Sequence, residues 1–222
     1  MMKTKGPIQP ITIALAKGKL LDHAVEYFDK LGLIPEDVKD AGRRLIFNSP
    51  KHGLTYLIVR PTDVPTYVEY GAADIGIVGK DMLLEQEKDL YELFDLKFGH
   101  CKIVVAGPKE AVEPYKNGKL TKIRVATKYP RITELYFGSR GVHADIIKLY
   151  GSIELAPLVG LSHVIVDLIS TGRTLKENNL ELIEVVTDST ARLIANRASL
   201  KLKYERITGI VDDLRKVIEN PP

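Results

Sequence analysis

The fold class is indicated by one run of residues, Val164-Ile165-Val166-Asp167-Leu168-Ile169-Ser170-Thr171-Gly172-Arg173-Thr174-Leu175. An apolar strand ends there at an acid, and a turn with two hydroxyls and a glycine leads into a helix. A strand that feeds a helix in this way is the repeating unit of α/β proteins. The run therefore predicts an α/β fold with a functional turn between its strand and its helix.

The turn after this strand has the chemistry of a phosphate-binding loop. Backbone N–H groups at a helix N-terminus lack intrahelical partners and carry partial positive charge, and Gly172 would allow the backbone to approach a ligand closely. Ser170, Thr171 and Thr174 add hydroxyl donors. Asp167, at the end of the strand, is then placed to accept hydrogen bonds from ribose hydroxyls. Phosphate next to ribose indicates phosphoribosyl diphosphate (PRPP) as the ligand.

A purely structural interpretation competes with this one. Ser and Thr commonly cap helices, and Asp commonly ends strands, because their side chains bond to nearby backbone groups. Here an acid, two hydroxyls and a glycine coincide after an uninterrupted apolar strand. That coincidence favours the functional interpretation.

Length and composition indicate an ordinary globular protein. The chain has 222 residues, 45% hydrophobic and 27% charged, which suits one large α/β domain or two small lobes. The net charge is only +3 and the Lys and Arg residues are scattered, which argues against nucleic-acid binding. No run approaches the roughly 18 apolar residues of a membrane span, and the first residues are polar. We therefore expect a cytoplasmic protein.

The cysteine and histidine content argues against two kinds of site. Cys101 is the only cysteine, so an internal disulfide and a thiolate metal cluster are excluded. The five histidines do not lie at metal-ligand spacing, and none accompanies a nucleophilic Ser or Cys motif. We therefore predict neither a hydrolase triad nor a metal held by the protein alone.

Short apolar runs alternate with helical patterns along the chain. Seven such runs are predicted as buried strands: Ile11–Ala16, Leu54–Val59, Ile75–Val78, Ile103–Ala106, Arg124–Thr127, Val164–Val166 and Leu182–Val186. The alternation predicts a mostly parallel sheet, with one antiparallel hairpin that joins Leu45–Asn48 to Leu54–Val59. Apolar residues at helical spacing predict a helix that stops near Gly32 and a terminal helix whose apolar face begins at Ile207.

Two basic turns follow predicted strands. Lys17, Gly18 and Lys19 come directly after the first strand, and their cations could hold phosphates or a departing pyrophosphate. Arg60 stands at the carboxyl end of another strand, where ligands bind in open α/β sheets. Solvated lysines and a structural arginine are the competing interpretations, and both remain open from these residues.

The segment from Gly71 to Asp81 has a helix end, a strand and a glycine-lined exit. Gly76 and Gly79 would allow close approach of another group. That group could be a nucleotide base or only a neighbouring strand, because glycine in a strand equally marks tight packing.

Together these motifs closely resemble the ATP phosphoribosyltransferase family in its short form, and the resemblance covers nearly the whole chain. The segments that carry it are Ala16–Leu20, Arg43–Phe47, Arg60–Val68, Gly71–Gly79, Gly151–Pro157, Asp167–Leu175 and Ser189–Asn196.

The resemblance implies a fold of two α/β lobes like type II periplasmic binding proteins, with the active site in the cleft between them. Lobe I would comprise residues 1–96 and 186–222 and would hold the ATP and pyrophosphate side. Lobe II would comprise residues 97–185 and would carry the PRPP loop.

The resemblance also implies roles for individual residues. PRPP would be bound by Glu154, Asp167, Ser170, Thr171, Gly172, Arg173, Thr174 and Leu175. ATP would be bound by Lys17, Gly18, Lys19, Asp74 and Gly76, and the catalytic cations would be Lys17, Arg43 or Arg44, and Arg60. Adenine N1 would attack the anomeric carbon and displace pyrophosphate, with Mg²⁺ carried mainly on the PRPP and ATP phosphates.

The short form implies an assembly. We expect no C-terminal regulatory domain, a homodimer of this chain, and a regulatory subunit resembling the histidyl-tRNA synthetase catalytic core in a histidine-inhibited hetero-octamer.

Two residues depart from the family pattern: His163 stands where a small or acidic residue is expected, and Lys19 where arginine is frequent. Two other functions remain open: a solute-binding module of the same architecture, and a phosphoribosyltransferase that uses a free base.

Overall fold

The computed structural model describes residues 8–38, 42–118 and 122–219 of the chain. Two compact units are distinguished. Unit 1 contains the residues up to Gly99 and those from Thr190 onward, and unit 2 contains His100–Ser189. The chain therefore passes twice between the units, at points a few residues beyond the predicted lobe borders.

Strands and helices alternate in both units. The strands found in the described ranges are β1 (Ile11–Ala16), β2 (Ile46–Ser49), β3 (Leu54–Val59), β4 (Ile75–Gly79), β5 (Tyr91–Asp95), β6 (Cys101–Pro108), β7 (Lys122–Thr127), β8 (His143–Lys148), β9 (Val164–Ile169), β10 (Leu180–Ser189) and β11 (Ala191–Ala195). The α-helices found there are α1 (Lys19–Lys30), α2 (Val64–Glu69), α3 (Lys80–Gln86), α4 (Lys109–Lys116), α5 (Pro130–Gly138), α6 (Leu155–Leu158), α7 (Arg173–Glu177), α8 (Arg197–Leu202) and α9 (Tyr204–Glu219).

Unit 1 contains a sheet with the strand order β2-β3-β1-β4-β11-β5. β1 pairs in parallel with β3 and β4, whereas β11 is antiparallel to both β4 and β5. β2 and β3 form the predicted hairpin, in which Ile46 lies opposite Leu57. Gly53 ends the connection with a φ of 62°, a left-handed conformation that favours glycine.

Unit 2 contains a second sheet with the order β10-β6-β9-β7-β8. β7 is parallel to β8 and β9, whereas β6 is antiparallel to β9 and β10. The prediction of a mostly parallel sheet is therefore wrong, because both sheets are mixed. A strand can lie parallel to the strand before it only if a crossover connection, usually a helix, joins the two. β6 and β11 each come directly after a passage between the units, without such a helix, and both pair antiparallel with their neighbours.

Three strands escaped the sequence prediction. β5 and β8 lie at sheet edges and are only half buried, so neither has a continuous apolar run. β11 is short, and Arg192 interrupts its apolar pattern. β9 was predicted only as far as Val166, but it continues to Ile169.

Helices α1 and α9 cover the core of unit 1, as their spacing predicts. α1 ends at Lys30, close to the predicted stop at Gly32, and it buries Ala24 and Phe28. α9 buries one apolar face, which consists of Ile207, Ile210, Val211 and Leu214. Each fully buried large side chain contributes about 1.5–3 kcal/mol to stability, so this face is what holds the end of the chain on the sheet.

A separate apolar cluster anchors the functional segments of unit 2. Its buried residues are Val104, Ala106, Ala126, Ile153, Ala156, Ile165, Leu175 and Leu180. Because Leu175 belongs to α7 and Ile153 precedes Glu154, this core fixes both candidate PRPP-binding segments to the same sheet. No helix in the described ranges has the length and apolarity to cross a membrane.

Candidate active site

The carboxyl ends of three parallel strands in unit 2 lie side by side. Thr127, the last residue of β7, pairs with Val166 of β9 on one side and with Lys148 of β8 on the other. The residues that follow these positions therefore share one edge of the sheet. They include Asp167 on β9 and Lys128 after β7.

Asp167 was predicted at the end of its strand, and the structure corrects this position. β9 continues to Ile169, and Asp167 lies within it, opposite Val104 of β6. On its other side β7 has already ended, so the carboxylate still occupies the carboxyl edge of the parallel strands.

Burial is the main cause of a raised pKa at Asp167, which reaches about 6. The Leu168 N–H lowers this pKa, the negative charge of Glu154 raises it, and the positive charge of Lys128 lowers it. Glu154 stands immediately before α6 and is half buried. A half-buried carboxyl with a perturbed pKa and two charged neighbours is typical of a functional site.

The loop between β9 and α7 presents its hydroxyls to solvent. Ser170, Thr171 and Thr174 are exposed. Gly172 has a φ of 71°, and a Cβ at this position would meet no atom within 4 Å. This glycine is therefore required by its backbone conformation, and the space above it is open to a ligand.

Two residues of the predicted PRPP set have other roles for their side chains. Leu175 is 5% exposed and packs in the core of unit 2, so it could meet a ligand only through its backbone. Arg173 donates from Nε to Glu177 Oε1 at 2.7 Å on the surface of α7. Both residues could therefore contact PRPP through their backbone, and their part in PRPP binding stays a prediction.

The predicted cations of unit 1 gather at one edge of its sheet. Ala16 of β1 pairs with Val59 of β3, and the Lys17 N–H donates to the Val59 carbonyl at 2.8 Å. Lys17, Lys19 and Arg60 therefore follow adjacent parallel strands, and all three are exposed. Gly18 has a φ of 91°, so a tight glycine turn separates the two lysines, as predicted.

Arg43 and Arg44 reach the same edge, because antiparallel β2 begins where β3 ends and the Ile58 N–H donates to the Leu45 carbonyl. Their surroundings differ. Arg44 donates to Asp37 Oδ2 at 2.8 Å and lies over the Phe47 ring. Arg43 is exposed and makes no hydrogen bond or ion pair with the described part of the chain. It is therefore the better placed of the two to bind an anion.

Asp74 lies at the other end of the sheet, before β4, and its carboxylate is engaged inside unit 1. Oδ1 accepts from Ser199 Oγ at 2.7 Å, and Oδ2 accepts from the Thr12 N–H at 2.8 Å and from Lys203 Nζ at 2.9 Å. Ligands bind at the carboxyl ends of such strands, not at their amino ends. These hydrogen bonds favour a structural role for the Asp74 carboxylate, and its place in a nucleotide pocket stays a prediction.

Gly76 also has a structural explanation. A Cβ there would lie 2.8 Å from Val68 Cγ2 and 2.9 Å from Val64 Cγ1. The glycine is therefore needed because helix α2 packs closely on β4, whereas the sequence had suggested a nucleotide base or a neighbouring strand. Neither Asp74 nor Gly76 belongs to the basic edge.

His163 departs from the family pattern for a local reason. Its Nδ1 accepts a hydrogen bond from the Arg124 N–H at 2.9 Å, and its own N–H donates to the Arg124 carbonyl. The imidazole therefore satisfies a backbone donor of β7 that a small residue would leave to water. This position lies at the amino end of β9, away from the loop.

The sequence analysis missed Lys128. It is exposed and directly follows the predicted strand Arg124–Thr127, so the rule that ligands bind at strand ends could have identified it.

A cavity of about 690 Å³ lies elsewhere in unit 2, near Ile123 at the amino end of β7. Its acid, Glu184, already bonds to Tyr115 and Arg140, so this cavity has less available chemistry than the opposite edge.

Comparisons with known proteins agree on one family. A family model described as ATP phosphoribosyltransferase matches residues 60–216. ATP phosphoribosyltransferase 2 of Geobacter sulfurreducens is 56% identical over 206 residues, which cover 93% of this chain and 97% of the relative. The ATP phosphoribosyltransferase of Syntrophotalea carbinolica is 54% identical over 208 residues, which cover 94% and 95%.

Solved structures give the same result. The ATP phosphoribosyl transferase (HisG:HisZ) complex from Thermotoga maritima contains a chain that matches with a TM-score of 0.80 at 38% identity, over 94% of this chain and 98% of that one. The periplasmic aliphatic sulphonate binding protein SsuA from Escherichia coli matches with a TM-score of 0.62 at 13% identity, over 94% and 72%. The second likeness concerns the fold alone, and it confirms the predicted class of two α/β lobes of the periplasmic-binding-protein type.

Proposed function

This chain belongs to the ATP phosphoribosyltransferase family, and we propose which of its residues carry the reaction. The enzyme is the catalytic subunit that joins the ribose of PRPP to N1 of ATP and releases pyrophosphate, the first step of histidine biosynthesis. One observation supports the proposal most strongly. Asp167, whose pKa is raised, precedes an open hydroxyl-rich loop at the carboxyl edge of unit 2.

Unit 2 binds PRPP in this proposal. Exposed hydroxyls of Ser170, Thr171 and Thr174, together with backbone N–H groups after Gly172, hold the 5′-phosphate. Asp167 and Glu154 accept hydrogen bonds from the ribose hydroxyls. Arg173 and Leu175 contribute backbone N–H groups only, because their side chains are engaged in an ion pair and in the core.

Unit 1 binds the phosphates of ATP and the departing pyrophosphate. Its basic edge consists of Lys17, Lys19, Arg43 and Arg60, with Gly18 allowing the turn between the lysines. Arg44 is a weaker candidate because Asp37 holds its guanidinium. Arginine suits bidentate contacts to phosphate oxygens, and lysine supplies point charges.

The reaction needs charge stabilisation more than covalent chemistry. The N1 lone pair of adenine forms a bond to the anomeric carbon while the bond from that carbon to the pyrophosphate oxygen breaks. The electron pair of the broken bond goes to pyrophosphate, and the anomeric configuration inverts. Preorganised cations stabilise this growing negative charge, and the carboxylates that hold the ribose favour the positive charge that develops on its ring.

The phosphate substrates require a metal ion, and we propose Mg²⁺ carried on the PRPP and ATP phosphates. Within the described ranges no cluster of three or more His, Cys, Asp or Glu side chains could hold a metal. As a hard cation that prefers oxygen ligands, Mg²⁺ would be held mainly by the phosphate oxygens with which it arrives.

We further propose a regulatory partner and a cytoplasmic location. The Thermotoga maritima relative was solved as a HisG:HisZ complex, which supports a HisZ-like regulatory subunit for this chain. A hetero-octamer built on homodimers of this chain is the expected assembly, and light scattering of the mixed subunits would measure it. The location follows from the substrates, which are phosphorylated compounds of the cell interior.

The PRPP loop can be tested with Thr174→Ala and Gly172→Val. Removing a hydroxyl that binds phosphate should weaken PRPP binding about tenfold or more, because hydrogen bonds to charged groups are worth about 1.5–3 kcal/mol. Valine at Gly172 should abolish binding, because a β-branched residue resists a φ of 71°. Calorimetry would give PRPP affinities, and pyrophosphate release with ATP, PRPP, Mg²⁺ and the regulatory subunit would give activity.

Thr187→Ala is the matched control, since Thr187 is a half-buried residue of β10 whose hydroxyl, among the described residues, bonds only to the adjacent Asp188 carbonyl. It should bind PRPP like the parent. Parent-like PRPP affinity in both loop variants would show that the loop assignment is wrong.

A further inference from the structure

We propose that Lys128 is a further substrate-binding residue, which holds the pyrophosphate group of PRPP, and that Thr127 positions it. The inference rests on the PRPP site proposed above, and it adds a cation to unit 2 next to the ribose.

The position of Lys128 follows from the strand register. Thr127 pairs with Val166, so Lys128 follows β7 at the level of Asp167 on β9. Neighbouring strands are about 4.8 Å apart, and a lysine side chain extends about as far, so its ammonium group reaches a ligand held at Asp167.

Charge interactions support this placement. Lys128 lowers and Glu154 raises the pKa of Asp167, so both charges act on the Asp167 carboxyl at this edge. The other strand beside Asp167 is β6, which presents the apolar Val104 at the paired position. Lys128 is exposed, and its ammonium group makes no hydrogen bond or short ion pair with the described part of the chain. A positive charge is therefore available beside the ribose-binding carboxylate.

A buried hydroxyl network fixes the turn that carries Lys128. Thr127 is fully buried, and its Oγ1 donates to the Val166 carbonyl at 2.7 Å and accepts from the Tyr129 N–H at 2.8 Å. Thr133 Oγ1 donates to the Tyr129 carbonyl at 2.7 Å. Buried polar groups that are fully bonded hold their surroundings rigidly. Lys128 thus stands between two anchored neighbours, and its backbone is in place before substrate binds.

The shape of PRPP determines which group meets Lys128. The loop after β9 takes the 5′-phosphate, and Asp167 takes the ribose. The pyrophosphate leaves from the anomeric carbon, on the side of the ribose away from the 5′-phosphate. β7 lies on the other side of Asp167 from β6, so Lys128 lies on the β7 side of a ribose held at Asp167 and can meet the leaving group there. When the bond from the anomeric carbon breaks, its electron pair moves to the pyrophosphate oxygen, and the ammonium stabilises that charge without a proton transfer.

The test compares Lys128→Met with Lys128→Arg in the full chain together with its regulatory subunit. Loss of one preorganised donor typically costs about 100-fold in rate, so Lys128→Met should lower kcat/KM for PRPP by about that factor. The KM for ATP should stay within about twofold, and binding of pyrophosphate alone should weaken about tenfold. Lys128→Arg should recover most of the activity, because it keeps the charge.

The pH profile provides a readout that a merely structural role would not change. In the parent, kcat/KM for PRPP should fall below about pH 6 as Asp167 is protonated. Without the positive charge of Lys128, the pKa of Asp167 rises, so this acid limb should move to higher pH in Lys128→Met. Lys122→Met is the matched control, because Lys122 is exposed at the amino end of the same strand. It should retain parent kinetics.

Thr127→Val and Thr127→Ser test the positioning role. Valine removes the hydroxyl, so kcat/KM for PRPP should fall while the KM for ATP is kept. Serine keeps the hydroxyl and should restore the parent value. If the parent turns over ATP and PRPP but Lys128→Met shows unchanged kcat/KM, pyrophosphate affinity and acid limb, the role of Lys128 is refuted. If the parent with its partner shows no pyrophosphate release, the proposed function fails instead.

Discussion

In the proposed site, the half-buried carboxyl of Asp167 trades stability for function. Its pKa in the folded chain, about 6, lies above its ordinary value, so ionisation opposes folding. This penalty is absent below about pH 4, develops as the pH rises through 6, and is complete above it. The ionised carboxylate is nevertheless the form that would accept hydrogen bonds from ribose hydroxyls in the proposed site.

Asp167→Asn should therefore stabilise the protein while it weakens PRPP binding. The free energy of unfolding should rise by roughly 1–3 kcal/mol at pH 8, and the gain should vanish as the pH falls to 4. Urea denaturation across this pH range measures the effect. Asp145→Asn, at an exposed position on β8, should change stability by less than about 0.5 kcal/mol. An Asn variant less stable than the parent at pH 8 would contradict the raised pKa.

Arg43 and Arg44 form a natural pair for a second prediction at this level. Arg43→Met should lower kcat by about tenfold or more, because it removes a cation that has no other partner in the described part of the chain. Arg44→Met should have a much smaller effect, since its guanidinium is bound to Asp37 on the surface. Steady-state kinetics of the two variants measure the difference. A larger loss in Arg44→Met would mean that the pair with Asp37 breaks when substrate binds.

At the level of elements, one carboxylate ties three segments of unit 1 together. Asp74, just before β4, bonds to the backbone of β1 at Thr12, to α8 at Ser199, and to Lys203 before α9. Lys203 also donates to the Pro10 carbonyl at 2.8 Å. This network joins the last helices of the chain to the first strand.

Asp74→Ala should therefore destabilise unit 1 rather than remove an ATP contact. Removing one partner of a buried charged pair typically costs about 3–5 kcal/mol, because the remaining charge is left without compensation. Denaturant unfolding measures this loss, and calorimetry under native conditions should show ATP affinity close to that of the parent. Asp212→Ala, which breaks an exposed pair with Arg215 on α9, should cost less than about 1 kcal/mol. A stable Asp74→Ala protein that no longer binds ATP would restore the original assignment.

For the whole molecule, the two units differ in how the chain builds them. The sheet of unit 2 comes from one continuous segment, His100–Ser189. In unit 1, β11 lies between β4 and β5 in the sheet, although the whole of unit 2 separates it from them in the sequence. The core of unit 1 also requires α9 from the end of the chain.

This topology predicts different behaviour for the separated parts. A fragment of residues 100–189 should fold cooperatively, because its sheet and core are complete. A fragment of residues 1–99 should not fold, because the site of β11 between β4 and β5 is empty and the apolar face that α9 covers is exposed. Circular dichroism melting of each fragment measures this difference. A control chain that joins residues 1–99 directly to 190–222 should recover folding, and cooperative melting of residues 1–99 alone would contradict the account.

Local patterns in the sequence were enough to predict several features of this protein. The apolar runs identified most strands, helical spacing identified α1 and α9, and the turn chemistry indicated the loop after β9 and the basic turns as candidate sites. These features depend on residues close together in the chain, because backbone sterics, side-chain periodicity and capping act over a few residues. The motifs at Lys17, Arg60 and Asp167 together were also sufficient to recognise the family.

Other features required knowledge of which distant segments are neighbours. Asp74 and Arg60 both lie beside predicted strands, but only the strand directions show that one is at the amino end of its sheet and the other at the carboxyl end. Lys128 directly follows a predicted strand, but its place beside Asp167 became known only when β7 was found beside β9, since the two residues are far apart in the chain. Strand order and register depend on how all the apolar faces pack at once, so no local pattern specifies them.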